Sequence, residues 1–560
     1  MAISLSPEAR TLVEEAVRHL SAGYDEALGL VCSEQDSGPS VRDSLYYALG
    51  LMILGEDRGQ VTQRICGTVL DLQMIAPGEI WHGCFRRHPG EPLPPSMPFD
   101  WRRLNLEGRY FADLTWERLS ARYDRLLTES PMSPSDREKA GQLLSRALHE
   151  TVPVVWDTYE PNLREFVGMV FAMLLEHFED RLPVPLVTRL EESGRQLMTG
   201  AIARAQSDFT PLNTNIRIMY VFLLDWFGRR LGEPSWTEES LVQARKLLTE
   251  YREFHAVAEF NSPTYYGVDL STIGCWCRYG SNEELRALGA ELEEGLWHDA
   301  AAFYNPEMRN FCGPYSRNYE MEMHIHTCFC DLMYLGLGAE RFPWHPFSQE
   351  SVCNPLLVLS QVNVPEDVIP QLTGKCVPRT LKRNFRELSE RGDPACRHAL
   401  CTAMARITPT LMLGVLSGSE NPSHQLHPLT VFWRNGAGLG TIRLLRSLPD
   451  GRMIHLHTVL FDGTLEDTRI NMRVDNQAGR DVDVFFEITC AGISEDRILP
   501  EKWILPGLTV KLAARAPAPV IRRVDSRTVR VIYPGRTDSP GSLQMHFQLD
   551  LEQKDFPIPG

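Results

Sequence analysis

Two short stretches of the sequence combine residue types that bind an anion and exchange protons. Residues 259–269 read EFNSPTYYGVD, and residues 311–324 read FCGPYSRNYEMEMH. Each stretch places asparagine, tyrosine and a charged group beside proline or glycine, directly ahead of an apolar pattern with helical spacing. Solvated loops rarely contain two or three tyrosines in so few residues, whereas the starts of helices that line a pocket often do. The two stretches therefore indicate a pocket built from helix starts.

The helices that follow these stretches belong to a repeating pattern. From about residue 108, amphipathic segments alternate with segments that are apolar on all sides, which is typical of outer and buried helices. The apolar segments begin near residues 162, 215, 266 and 318, at intervals of about 52 residues. The pattern predicts an (α/α)6 toroid over residues 1–350, with an inner ring of helices surrounded by an outer one. The first two hairpins are weak, so six or seven pairs fit.

The period also aligns polar residues at the starts of the inner helices. They are Asn162, Asn215, Asn261 with Tyr265 and Tyr266, and Tyr315 with Arg317 and Tyr319. In a toroid these starts converge at one end of the ring, where helix N-termini present partial positive charge and N–H groups to a carboxylate. A single asparagine at such a position is more often only a helix cap. Four aligned polar starts, two of them rich in tyrosine, favour a pocket.

The second part of the chain has a different hydrophobic pattern. After a linker at 351–376, about ten short apolar or alternating segments follow over residues 377–560, and turns such as 449–451 and 462–463 separate several of them. So many strands in under 200 residues predict an antiparallel β-sandwich. The glycine-rich run at 436–440 lies among these strands and is interpreted as a turn, since no βαβ unit surrounds it.

Composition limits the class of partner. The formal net charge is −16 and the pI is about 5.5, which excludes nucleic acid or an anionic membrane surface as the main partner. No run approaches the roughly 18 apolar residues of a membrane span. The N-terminus lacks a basic segment followed by an apolar one, and the 13 cysteines show no disulfide framework. We expect a cytoplasmic protein that acts on a small molecule or an oligosaccharide, of undetermined oligomeric state.

We expect no cofactor and no metal. The sequence contains no phosphate-binding loop, no Gly-x-Ser-x-Gly motif and no His-Glu-x-x-His motif. His324 and His326 lie near Glu322 and Cys328, but on a helix these residues do not converge on one face. The Cys-x-Cys pairs at 275–277 and 328–330 are interpreted as core residues.

A helical toroid followed by a large antiparallel sandwich resembles the toroidal polysaccharide lyases, in particular the heparinase II/III-like, alginate-lyase and chondroitin-lyase types. The resemblance spans almost the whole chain. The motifs at 259–267 and 313–319 are similar to the signature loops of such proteins. The sequence departs from the alginate-type members because it has no Asn-Asn-His run. Asn213-Thr-Asn215 is the nearest match to that run. Polymer-degrading members are usually exported, so a cytoplasmic one would act on imported oligomers or on a small metabolite.

The resemblance implies a lyase that performs β-elimination on a uronic acid. In such enzymes, asparagine, histidine or arginine neutralises the carboxylate while tyrosine or histidine moves the proton, because a carbon acid this weak needs its developing charge to be met by donors. The implied catalytic residues are Tyr266, Tyr319, Arg317 and His324. The implied substrate-binding residues are Asn162, Asn215, Asn261, Tyr265, Tyr315, His424 and His427.

Other functions stay open at this stage. A glycoside hydrolase on the same toroid would need two carboxyl groups, for which Glu259, Asp269, Glu320 and Glu322 are the candidates. A cyclase, isomerase or dehydratase of specialised metabolism would use the aromatic mouth for an apolar substrate. A non-catalytic carbohydrate- or protein-binding scaffold would need none of the tyrosine hydroxyls. Arg317 could instead pair with Glu320 or Glu322 as support for the fold.

Overall fold

The computed structural model describes residues 3–33, 38–57, 60–79, 81–91, 93, 126–127, 129, 131–151, 160–206, 213–324, 327–343, 354–387, 399–421, 423–436, 438–453, 459–476, 481–536 and 543–553. Across these ranges the N-terminal part is helical and the C-terminal part is rich in antiparallel sheet. The helices are α1 (Pro7–Ala22), α2 (Val41–Leu54), α3 (Val61–Asp71), α4 (Pro134–Thr151), α5 (Leu163–Phe178), α6 (Val184–Gln206), α7 (Thr214–Leu231), α8 (Pro234–Phe254), α9 (Tyr265–Tyr279), α10 (Glu283–Phe303), α11 (Thr327–Leu337) and α12 (Ile369–Thr373). The 3-10 turns are Glu179–Arg181, Pro355–Leu359 and Glu495–Arg497.

The apolar helices form a continuous series of contacts. Helix α2 packs on α5, α5 on α7, α7 on α9 and α9 on α11, while α1 contacts both α2 and α11. The amphipathic helices α6, α8 and α10 pack beside this series. Their polar faces stay exposed, and their apolar faces bury residues such as Leu190, Leu248 and Leu292. The alternation seen in the sequence thus corresponds to buried and outer helices.

The last of these helices starts later than the sequence pattern predicts. The prediction places its start at Asn318, whereas α11 begins at Thr327. The backbone around Asn318 bonds elsewhere, because the Asn318 N–H donates to the Gln425 carbonyl over 2.8 Å and the Tyr315 N–H donates to the His427 carbonyl over 3.2 Å. Backbone groups used in this way do not form helical bonds. The expectation that His324 lies on this helix is therefore wrong, and the start of the regular pattern near residue 108 lies outside the described residues.

Nineteen strands occur in the described ranges, and the sequence prediction missed several of them. They are β1 (Tyr24–Asp25), β2 (Leu30–Ser33), β3 (Gly38–Ser40), β4 (Tyr304–Asn305), β5 (Asn310–Phe311), β6 (Arg379–Arg386), β7 (Leu400–Ile407), β8 (Leu411–Ser417), β9 (Leu429–Asn435), β10 (Gly438–Ser447), β11 (Val459–Glu466), β12 (Arg469–Asn476), β13 (Val482–Thr489), β14 (Ile498–Leu499), β15 (Lys502–Leu505), β16 (Leu508–Arg515), β17 (Val520–Arg523), β18 (Thr528–Gly535) and β19 (Leu543–Gln553). The small sheet β1–β3 and strands β4, β5, β10, β14, β15 and β17 were not predicted. The interpretation of 436–440 as a turn holds only at its start: Gly436 is a turn residue with a left-handed φ of 60°, whereas strand β10 begins at Gly438 and pairs with β9 and β13.

The C-terminal strands form two large sheets. The eight-stranded sheet has the order β17-β18-β13-β10-β9-β8-β7-β6, and the six-stranded sheet has the order β11-β12-β19-β16-β15-β14. Phe486 of the first sheet contacts Trp503 and Phe547 of the second, with ring centroids 5.3 Å and 5.2 Å away. The two sheets therefore share an aromatic core.

The segment that follows α11 packs on the helices. Leu356, Leu357 and Leu359 are buried, and the turn that contains them contacts α1, α2, α5, α9 and α11. The backbone passes so close to Gly274 that a Cβ atom there would lie 2.1 Å from the Gln361 carbonyl oxygen. This part of the 351–376 segment is fixed against the helices by burial and close approach.

Candidate functional site

Three segments of the chain meet where the helical part contacts the eight-stranded sheet. They are 259–265 before and at the start of α9, 312–319 before α11, and 421–427 between β8 and β9. Tyr315 and His427 exchange both backbone hydrogen bonds, over 3.2 Å and 3.0 Å. The Asn421 side chain donates to the Ser316 carbonyl over 3.0 Å. The sheet part thus fixes the position of the loop that carries Arg317.

Arg317 lies at the centre of this contact. Its Nη1 is 3.2 Å from Oε1 of Glu259. Its Nε donates to Oε1 of Gln425 over 3.0 Å, and its Nη2 donates to the hydroxyl oxygen of Tyr265 over 3.4 Å. The guanidinium also lies 5.0 Å from the centre of the Tyr265 ring, which places it for a cation–π interaction. These contacts bring together residues from all three segments.

Glu259 holds Arg317 in place from the protein interior. Its side chain is 0% exposed, and its Oε2 accepts a hydrogen bond from the backbone N–H of Asn215 over 2.9 Å. Asn215 lies in the first turn of α7, where N–H groups have no partner within the helix. The Glu259 backbone N–H is bonded to Thr214 Oγ1 over 3.3 Å. The carboxylate is therefore bound on two sides and has a fixed orientation.

Two tyrosines connect this buried ion pair to the surface. Tyr265 is 7% exposed and donates its hydroxyl proton to Gln425 Oε1 over 3.0 Å. Burial raises the pKa of Tyr265 well above its usual value, with Arg317 opposing this and a hydrogen bond to Tyr319 adding to it. Tyr319 is 48% exposed, and its ring centroid lies 6.1 Å from that of Tyr265. Glu259, Arg317, Tyr265 and Tyr319 thus form a connected series from the interior to solvent.

Tyr266 and Asn261 hold the loop ahead of α9. Tyr266 is 1% exposed, its hydroxyl oxygen accepts from the Asn261 backbone N–H over 2.9 Å, and burial raises its pKa well above its usual value. The Asn261 side chain donates to the Cys312 and Pro314 carbonyls over 2.7 Å and 3.0 Å. Asn261 has a left-handed φ of 53°, which asparagine tolerates better than most residues. Both residues position the two loops and do not face solvent.

Tyr315 and His427 are likewise buried supports. Tyr315 donates its hydroxyl proton to the Phe311 carbonyl over 2.9 Å. His427 Nε2 lies 2.9 Å from the Asn318 carbonyl oxygen. Burial lowers the pKa of His427 to about 3, so its ring is neutral at neutral pH and donates that bond. These two side chains shape the loop around Arg317 without adding charge to it.

The remaining predicted residues are Asn162, His324 and His424, and each has a different environment. Asn162 accepts from Arg204 over 2.9 Å at the start of α5. His324 Nδ1 lies 3.6 Å from Cys330 Sγ. His424 is half-buried in the loop next to Gln425. None of these three forms one of the contacts to Arg317 described above.

Sequence reasoning missed Gln425, Asn318 and Asn421. In the Ser423–Leu429 stretch, the sequence prediction selected the two histidines, whereas Gln425, which lies between them, binds both Arg317 and Tyr265. The side-chain oxygen of Asn318 accepts from the Thr264 backbone N–H over 3.0 Å. An amide beside two histidines in a loop is the signal that was present, but amides in loops are common.

The acidic candidates are not arranged as a pair facing a sugar. Asp269 is fully buried, and neither carboxyl oxygen has a hydrogen-bond partner within the described ranges. Burial, and secondarily the charge of Glu259, raise the pKa of Asp269 well above its usual value, which disfavours its charged form. The Glu259 carboxylate already binds the Arg317 guanidinium and the Asn215 backbone N–H. This arrangement does not favour the two-carboxyl hydrolysis mechanism.

The described ranges also bear on membrane-spanning helices and on metal sites. No helix there is both long and apolar enough to cross a membrane. Those ranges also contain no group of three or more histidine, cysteine, aspartate or glutamate side chains placed to hold a metal ion.

Part of the chain matches a family model, and the whole chain is weakly similar to several solved structures. Residues 145–348 match a domain of unknown function (DUF8769), and no curated protein sequence matches the chain. Among solved structures, a heparan sulfate lyase HepC mutant from Pedobacter heparinus is 9% identical with a TM-score of 0.31, over 98% of this chain and 89% of that one. The chondroitin AC lyase of Streptomyces coelicolor A3 is 12% identical with a TM-score of 0.38, over 98% and 83%. Scores this low establish neither fold nor activity.

Proposed function

We propose that the protein is a carbon–oxygen lyase that eliminates across a uronic acid in an oligosaccharide. The observation that carries the proposal is the series Glu259–Arg317–Tyr265–Tyr319, in which a fixed guanidinium contacts the Tyr265 hydroxyl and the Tyr265 ring lies beside the half-exposed Tyr319. Elimination next to a carboxylate needs both a proton-transferring group and a positive charge that meets the developing negative charge.

Tyr319 is the proton-transferring residue in this proposal. As phenolate it removes the proton from C5 of the uronate, the C5–H electrons form the C4=C5 double bond, and the C4–O bond breaks. Tyr319 then returns the proton to the leaving oxygen, which restores the phenolate. Tyr265 stays neutral because its pKa is raised, and it positions Tyr319. Tyr266 has no catalytic role in this scheme, since its hydroxyl is buried against the Asn261 backbone.

Arg317 supplies the charge in this scheme. Deprotonation at C5 moves negative charge onto the substrate carboxylate, and a guanidinium held by Glu259 and Gln425 needs no rearrangement to meet it. The Glu259 carboxylate prevents Arg317 from turning away when the site is empty. We assign Gln425 a positioning role because it contacts both Arg317 and Tyr265.

The architecture that we propose for this chemistry is a closed α/α toroid followed by a β-sandwich. It is supported by the contact series of α2, α5, α7, α9 and α11, and by α1, which contacts both ends of that series. It is also supported by the aromatic contacts between the two large sheets. We place the toroid at 1–350, the connecting segment at 351–376 and the sandwich at 377–560. The site then lies at the mouth of the ring, under the sandwich.

Product analysis tests this function. The protein is incubated with a panel of uronate-containing oligosaccharides, and ultraviolet absorbance and reducing ends are followed together. The proposal expects absorbance from the conjugated C4=C5 double bond to rise in step with new reducing ends. New reducing ends without absorbance would show hydrolysis instead. No product from any panel member would reject the proposed function for this substrate class and favour an enzyme acting on a smaller metabolite.

A further inference from the structure

We infer that the substrate has a low charge density: an unsulfated uronate flanked by neutral sugars. The inference rests on the proposed function and deepens it by naming the substrate class. Its basis is that two arginines beside Tyr319, Arg317 and Arg443, already face carboxylates of the protein, so within the described ranges these two can meet one negative charge at the reacting sugar but offer little positive charge for more.

Arg317 shows this compensation most clearly. Its partner Glu259 is fully buried and is fixed by the Asn215 N–H, so the carboxylate cannot swing out to release the arginine. An ion pair of this kind has no net charge when seen from a distance, and it acts on a ligand only through short contacts. It can orient one carboxylate that touches the guanidinium, but it attracts a polyanion weakly.

A second cluster, in which carboxylates neutralise arginines, lies directly beside Tyr319. Arg443 Nη1 donates to the Tyr319 carbonyl over 3.3 Å, so this cluster adjoins the site. Arg443 lies 2.6 Å from Glu487 and 3.5 Å from Glu320. Arg530 lies 2.7 Å from the same Glu487 carboxylate. Burial opposes ionisation of Glu487, but Arg443 and Arg530 outweigh it and lower its pKa, so the carboxylate is charged and occupies both arginines.

Three further described residues near the site add no positive charge. His427 is buried and neutral because its pKa is lowered to about 3. Glu320 and Glu322 are acidic and lie in the segment that follows Tyr319. The whole chain carries a formal charge of −16, which repels a dense polyanion at long range. Each sulfate group on a substrate would therefore meet repulsion, or would have to break an existing ion pair.

The same surface offers apolar area to a neutral sugar. The ring of Tyr319 is half exposed and lies tilted against Tyr265. Aromatic faces pack against the C–H faces of sugar rings without needing a charge. Recognition of the sugars that flank the uronate thus depends on stacking and hydrogen bonds, as expected for neutral residues.

The test compares matched oligosaccharides that differ only in sulfation. Full-length protein is assayed by the absorbance of the double bond with tetrasaccharides of alternating uronate and hexosamine, with and without O-sulfate on the hexosamine. We expect kcat/KM to be at least about tenfold higher for the unsulfated partner of each pair, which is a difference of about 1.4 kcal/mol. The loss should lie mainly in KM. Equal or faster turnover of the sulfated partner would overturn the inference while leaving the lyase proposal intact.

A surface variant isolates the electrostatic cause. Glu320→Gln removes a partly exposed carboxylate from Arg443 and leaves the buried pairs in place, so folding is not at risk. It should lower KM for the sulfated substrate several-fold and change KM for the unsulfated one little. Glu466→Gln, in the hairpin between β11 and β12 of the other sheet, is the matched control and should change neither. Unchanged discrimination in Glu320→Gln would contradict the stated cause.

Binding separates failure of the inference from failure of the lyase function. If no panel member is eliminated, calorimetric titration of the same pairs is compared. Tighter binding of the unsulfated partner would uphold the inference on charge and reject the elimination chemistry. Tighter binding of the sulfated partner, or no binding of either, would reject the inference.

Discussion

The Arg317 guanidinium lies 3.2 Å from a Glu259 carboxylate that is completely removed from solvent. The two residues come from different loops, and each is tied to a further element: Glu259 to the first turn of α7, Arg317 to Gln425 of the sheet part. Breaking one buried ion pair would therefore release three parts of the site at once.

Removing the charge of Glu259 should impair both folding and turnover. Glu259→Gln leaves Arg317 without its buried counter-charge, which costs about 3–5 kcal/mol of unfolding free energy in comparable pairs. We expect a lower denaturation midpoint and a fall in kcat/KM of about 10²-fold, as for loss of one electrostatic stabiliser. Denaturant titration and the absorbance assay measure the two effects. A stable variant with wild-type kcat/KM would show that the pair has no role in activity.

Gln425 should affect activity more than its neighbour does. Gln425→Ala removes the acceptor shared by Arg317 and Tyr265 and should cost about 1–3 kcal/mol in transition-state stabilisation, visible mainly in kcat. His424→Ala, one residue away, makes none of these contacts and serves as the matched control. Similar losses in both variants would mean that the loop, and not the amide, is what matters.

Glu387 should make stability depend on pH. Burial raises its pKa from 4.5 to about 7, against hydrogen bonds from Ser419, the Glu420 N–H and Cys401 that lower it. Because the folded-state pKa lies above the unfolded one, the folded chain binds the proton more tightly between pH 4.5 and 7. The shift corresponds to about 3 kcal/mol of stability that is fully present below pH 4.5 and is lost as pH rises through 7.

Comparison with Glu387→Gln isolates this contribution. Asp299, whose pKa burial also raises to about 7, gives the same slope to both proteins and cancels in the difference. The wild-type unfolding free energy should therefore fall by about 3 kcal/mol relative to Glu387→Gln between pH 4.5 and 7.5. Denaturant titrations across this range measure it. Parallel stability curves would contradict the prediction.

Gly414 should not tolerate a side chain. A Cβ atom there would lie 2.1 Å from the carbonyl group of Gly313, so Gly414→Ala must push the 312–319 loop away from β8. We expect a loss of about 1–3 kcal/mol in stability together with reduced turnover, because that loop carries Arg317 and Tyr319. In Gly438→Ala, in β10 of the same sheet, the nearest atom would be 3.9 Å away. That variant should keep both activity and stability.

Hydrophobic periodicity predicted much of the helical part. The apolar helices predicted to begin near residues 162, 215 and 266 begin at Leu163, Thr214 and Tyr265, because each carries a clear apolar pattern. The start of α11 was misplaced because the backbone N–H groups of Asn318 and Tyr315 donate to residues more than a hundred positions away. Local propensity contains no information about such partners.

The site itself was predicted only in part. Arg317 and Tyr319 were identified from their residue types and neighbours. Tyr265 and Tyr266 are adjacent in sequence and point about 100° apart on the helix, so which of them faces Arg317 depends on packing that the sequence does not reveal. Gln425 is 108 residues from Arg317 and comes from a part of the chain with a different fold class. Its contribution becomes visible only when the sheet meets the helices.

The most direct test of the proposed chemistry is the initial rate of double-bond formation by Tyr319→Phe. This change removes only the hydroxyl of a half-exposed residue, so the fold and the Arg317 contacts should persist. Tyr24→Phe in strand β1 is the matched control and should retain the wild-type rate. If Tyr319 moves the proton, kcat should fall by about 10²–10⁴-fold with little change in KM. Wild-type kcat in Tyr319→Phe would contradict the mechanism.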